Sequence, residues 1–137
     1  MGLYLCVFEG DKELDGVVVG TYMDFDVFRT AVVNRLENRI PGSRYPTLIL
    51  HSDCDGEWTV EQCRELEKEL QALGAAFRGL PPSDFNADWQ KGVAKVLGLH
   101  PQNLYESFID VDGEPLIERL LTLCRLAQEH GQPILFQ

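Results

Sequence analysis

The sequence predicts an α/β or α+β fold, a single layered domain over residues 1–137 in which a β-sheet is packed with about three to four helices. Three observations carry that expectation. Segments with helical periodicity alternate with short apolar runs of strand length, the pattern of a layered sheet-and-helix domain. An apolar run opens the chain at Leu3 to Phe8 and another closes it at Ile134 to Phe136, as expected of chain ends docked into a sheet. Finally, 137 residues at 45% hydrophobic content suffice for one independent core, with roughly two-thirds of the unfolded surface buried.

Leu3 to Phe8 and Val17 to Val19, separated by the turn-rich Glu9-Gly10-Asp11-Lys12-Glu13, read as an opening pair of strands. Asp24 stands where an N-cap belongs, and Phe25, Phe28, Val32 and Leu36 then recur at helical spacing up to about Glu37, before Ile40-Pro41-Gly42. Thr47 to His51 reads as the next strand. Thr59-Val60-Glu61-Gln62 has the form of a capping box, and Val60, Cys63, Leu66, Leu70 and Leu73 mark the inner face of the helix it starts. Gly74 fits that helix's C-terminus, which leaves Ala75 to Arg78 as a short strand.

Beyond the loop at Pro81-Pro82, residues 86–97 form a weaker helical segment with Trp89, Val93 and Val96 as its expected buried stripe. Leu104 to Ile109 reads as a strand. Pro115 suits a first helical position, and Leu116, Leu120, Leu123, Cys124 and Ala127 carry the last helix to His130-Gly131.

Acids outnumber Lys and Arg by 22 to 12, a formal net charge of −10 that repels phosphate backbones and anionic membranes but draws in a basic protein surface. Nucleic acid is therefore excluded as an expected partner. No apolar run approaches the ~20 residues of a membrane span, and Met1 leads directly into a strand-like segment, so the expected location is cytoplasmic. The four cysteines are scattered without a Cys-x-x-Cys pair and read as reduced, mostly buried thiols.

Two turns share the spelling Asp-x-Asp-Gly-Glu: Asp53-Cys54-Asp55-Gly56-Glu57, followed by Trp58, and Asp110-Val111-Asp112-Gly113-Glu114. Each follows an apolar run and precedes a helix. One reading is a paired carboxylate site for a hard cation, if neighbouring strands bring the turns together. The calcium-loop spacing fits neither. With Gly56 in the glycine place, His51 and Gln62 fall where the first Asp and the last Glu belong; with Gly113 there, Phe108 and Arg119 do.

The simpler reading is that Asp and Gly make tight turns and that acids complement a helix's positive end. No metal or other cofactor is expected on this reading. A zinc site from His51, Cys54 and Cys63 lacks close ligand pairs, and the aspartates beside Cys54 oppose a thiolate nucleophile. No phosphate-binding loop or Ser/His/Asp arrangement stands out, so a non-enzyme is expected. Trp58 is either a staple onto the core or an exposed interface anchor.

Gly42-Ser43-Arg44-Tyr45-Pro46-Thr47, running into His51-Ser52-Asp53-Cys54-Asp55-Gly56-Glu57-Trp58, resembles bacterial polymorphic-toxin immunity proteins. So do Leu104-Tyr105-Glu106, Asp110-Val111-Asp112-Gly113-Glu114-Pro115-Leu116 and the closing Pro133 to Gln137. The resemblance implies a small protein that binds and neutralises a cognate toxin, and it brings no catalytic residues with it. Acidity would suit a basic, nuclease-type toxin. The expected partner surface is Asp53, Asp55, Glu57, Trp58, Asp110, Asp112 and Glu114. The alternatives are a metal-binding module or metal-dependent enzyme built on the two turns, and a structural subunit whose apolar C-terminus adds a strand to a partner sheet.

Overall fold

The computed structural model describes residues 2–137. Its first element is a hairpin, β1 (Gly2–Glu9) and β2 (Lys12–Thr21), in which Leu3, Leu5 and Val7 alternate inward opposite Val17 and Val19. Helix α1 (Tyr22–Leu36) follows without a loop. Its N-cap is Thr21 rather than Asp24: the Thr21 hydroxyl accepts from the Asp24 amide while the Asp24 carboxylate accepts from Thr21 N–H. Asp24, the third residue of the helix, is thus the closing member of a capping box.

The expected strand at Thr47 to His51 is instead a four-residue helix, α2 (Pro46–Ile49). Pro46 fixes a helical φ at its first position. Carboxylate Glu69 accepts from the Thr47 and Leu48 amides at 3.1 and 3.0 Å, and the Arg29 guanidinium donates to the Leu48, Ile49 and His51 carbonyls at its other end. Both ends of this short helix are satisfied by side chains from other elements.

A two-residue strand β3 (Glu57–Trp58) leads to α3 (Val60–Arg78), started by the expected Thr59/Gln62 capping box. Here a second expectation fails, because α3 continues through Gly74 and residues 75–78 are helical. Gly74 is a contact glycine: a Cβ there would lie 3.3 Å from Tyr105 Cε2 and 3.4 Å from Ile117 Cγ2. Helix α4 (Asp88–Leu97) follows. Leu104 to Ile109, expected as a strand, forms a 3₁₀ turn at Tyr105–Ser107, with only Ile109 bridged to Pro115. Helix α5 (Leu116–His130) and β4 (Ile134–Phe136) end the chain.

The four strands pair antiparallel in the order β2-β1-β4-β3, so β4 lies inside the sheet between β1 and β3. This assigns the fold to the α+β class. It also removes the reading of the C-terminus as a strand held ready for a partner sheet, since both its neighbours are within this chain. Helices α3 and α5 pack on each other, and Phe25, Phe28, Leu66, Leu70, Phe77, Leu120 and Leu123 fill the core with the inner face of the sheet. No helix among the described residues is long and apolar enough to cross a membrane.

Candidate functional site: two acidic turns and the outer face of α4

The first acidic turn hangs from the β3 edge of the sheet. Ser52 Oγ accepts from the Cys54 and Asp55 amides, Gly56 turns the chain with φ +85°, and the Phe136 amide donates to the Gly56 carbonyl at 3.0 Å. His51 closes the loop from inside. Its Nδ1 lies 2.9 Å from the Ser52 carbonyl and its Nε2 2.8 Å from the Glu57 carbonyl, while the ring stacks on Phe136 at 4.4 Å. Both His51 nitrogens thus face main-chain carbonyl oxygens within the loop.

Trp58 is fully buried, with Nε1 donating to the Thr47 carbonyl at 3.0 Å. Of the two readings of this residue, the geometry matches the staple. What the turn presents outward is Asp55 and Glu57, exposed, and Asp53, half-exposed.

The second turn lies against β2, at the opposite edge of the sheet, where the Val111 amide donates to the Val18 carbonyl at 3.1 Å. Asp110 is 1% exposed and serves the turn itself: Oδ1 accepts from the Asp112 and Glu114 amides at 3.0 and 2.9 Å, and Oδ2 lies 3.5 Å from Arg119 Nε. Arg119 also makes a two-pronged pair with Asp15 and donates to the Gly16 carbonyl, tying α5, β2 and the turn together. Its bonds to Asp15 hold the guanidinium above its ordinary value. Asp112 and Glu114 project into solvent.

The two turns therefore do not meet. They flank opposite edges of a four-stranded sheet, because no parallel strand pair places them side by side, and the expectation that adjacent strands bring them together is overturned. Among the described residues no cluster of three or more His, Cys, Asp or Glu side chains is arranged to hold a metal ion. Cys63, buried, donates to the Trp58 carbonyl, whereas Cys54 is exposed beside Ser52. The Cys124 thiol is pushed above its usual range by its neighbour Cys63 and by burial.

The residues that the sequence reading misplaced are on α4. Trp89 and Val93 are half-buried, against Gly20 and Gly113, while Val96 is 83% exposed and Leu97 54% exposed, so the expected stripe is covered only in part. The buried residues of this helix are Gln90 and Ala94. Gln90 accepts from the Asn86 and Ala87 amides, and Trp89 Nε1 donates to the Asp24 carboxylate at 3.0 Å. The polar role of Gln90 was the available signal, since a glutamine three positions into a helix can reach back to its orphan amides.

Fold and surface are those of a chain whose exposed chemistry is acid and apolar contact. No curated protein and no solved structure matches the chain, but the family model described as Immunity protein 70 matches residues 3–136. That match takes in all of the strands and helices described above except Gly2 of β1, both acidic turns included, and the chain belongs to the Immunity protein 70 family.

Proposed function

We propose that this protein is a cytoplasmic inhibitor that binds the cognate toxin of its own producer, a basic and nuclease-type one, and neutralises it by occlusion rather than by catalysis. The observation that carries the reading is the family match over residues 3–136. The charge supports the choice of toxin: a net −10 surface attracts the cationic groove with which a nuclease holds phosphates, and acids standing in that groove would exclude its substrate. Asp53, Asp55 and Glu57 on one sheet edge and Asp112 and Glu114 on the other are the exposed members of the proposed contact set; Trp58 and Asp110 support it from beneath.

The test is co-expression with the toxin encoded beside this gene in a host lacking other protection. Growth should be restored and the two chains should purify together. A toxin that kills undiminished and forms no complex, or a neighbourhood without any toxin gene, overturns the proposal.

A further inference from the structure

Helix α4 is amphipathic in the wrong direction for a core helix. At about 100° per residue, Gln90 and Ala94 define the inward arc, while Trp89, Val93 and Val96 centre on an arc rotated by roughly a third of a turn from it. The helix meets the rest of the fold through Trp89, which donates to Asp24 of α1 and lies over Gly20 of β2, and through Val93 and Leu97 against Gly113, while Val96 stands in solvent. Its outer arc and the second acidic turn enclose a groove of about 470 Å³ lined by Trp89, Val93, Val96, Leu97, Val111 and Asp112.

The groove is backed by close packing. Gly113 has φ +81°, and a Cβ there would sit 2.5 Å from Leu97 Cδ1, so the turn and the helix are fitted to each other. Its rim is acidic, with Asp112 in the wall and Glu114 in the adjoining hollow that shares Leu97 and Asp112. The helix's two lysines, Lys91 and Lys95, line a separate cleft with Phe85 and leave that rim uncompensated.

We infer that this groove is the docking site for the toxin, taking a segment that presents apolar side chains flanked by lysine or arginine. The assignment rests on the toxin-binding reading above and locates its apolar anchor. Charge selects this occupant over a second copy of the chain, because two copies would bring acid rims together while each carries a net −10. Half-buried Trp89 beside exposed Val96 and Leu97 supplies the aromatic and aliphatic contacts in which interface affinity concentrates, and the acids set orientation and encounter rate.

The experiment measures affinity for the inactivated toxin domain encoded beside this gene. Val96→Glu with Leu97→Glu should weaken binding at least about 30-fold, whereas Ile40→Glu, at an exposed apolar residue elsewhere, should leave it within about twofold. Two readouts cover a double variant that fails to fold. Asp112→Lys should slow association about tenfold at low salt. In the wild-type chain, labelled with 7-azatryptophan and excited apart from the toxin's own tryptophans, toxin should shield Trp89 from acrylamide, and because Trp58 is fully buried the quenching of this chain reads mainly Trp89. Undiminished affinity in a folded double variant, or unchanged quenching on saturation, overturns the docking site while leaving toxin binding intact. A wild-type dimer that the double variant abolishes also overturns it, in favour of a second copy. A wild-type chain that binds no toxin overturns the proposed function and this assignment with it.

Discussion

Asp110 and Asp112 stand two residues apart in one turn, and burial separates their roles. Asp110 accepts from two main-chain amides and sits against Arg119, whereas Asp112 faces solvent. Removing a buried acceptor leaves its donors unsatisfied, so Asp110→Ala should cost about 1–3 kcal/mol, read as a lower urea midpoint with unchanged slope. Asp112→Asn should stay within about 0.5 kcal/mol of wild type in the same measurement. Equal losses would show that the exposed acid is also structural. A second single-residue test lies on the hairpin, where Tyr4 donates to Glu13 and that bond, with burial next, pushes the phenol from 10.0 up to about 12. The neutral phenol is the form the folded state prefers, so its contribution is complete below pH 10 and disappears as pH rises towards 12. Ultraviolet titration should find two late tyrosines, Tyr4 and Tyr105, the latter raised by burial, and Glu13→Gln should bring Tyr4 alone back towards the ordinary value.

The elements divide by whether their determinants are local. Helices α1, α3 and α5 and the opening hairpin are legible because periodicity, Thr59/Gln62 and the turn residues all lie within the segments they shape. Thr47 to His51 is not, because a four-residue apolar run fits a strand or a buried helical turn equally, and the deciding groups are Glu69 and Arg29 in two other helices. Gly74 misled in the same way: a glycine ends a helix or admits a neighbour closely, and Tyr105 and Ile117, far along the chain, make it the second. The candidate site was legible as a set of acids but not as an arrangement, since strand order decides that the turns lie apart. If Glu69 is what makes α2 a helix, Glu69→Ala should cost about 0.5–2 kcal/mol, as loss of an N-cap does. Hydrogen exchange should then show the Thr47 and Leu48 amides losing protection while the middle of α3 keeps it. Uniform loss across both helices would mean that Glu69 acts through α3 instead.

Across the whole molecule, charge and apolar contact act at different stages of meeting a partner. The exposed acids at opposite sheet edges set up a field that extends about 10 Å at ordinary ionic strength, beyond the reach of any side chain. The groove on α4 works only at contact, so the field should govern how fast complexes form and the groove how long they last. Changing Asp53, Asp55, Asp112 to Asn and Glu57, Glu114 to Gln together removes five negative charges from the net −10 without touching buried Trp58 or Asp110. The association rate with the toxin should fall at least about tenfold at 0.05 M salt, and the difference from wild type should largely vanish near 0.5 M, where the Debye length is about 4 Å. Dissociation should change far less. An association rate indifferent to both salt and these five substitutions would show that acidity serves this protein's solubility alone, with recognition left entirely to contact.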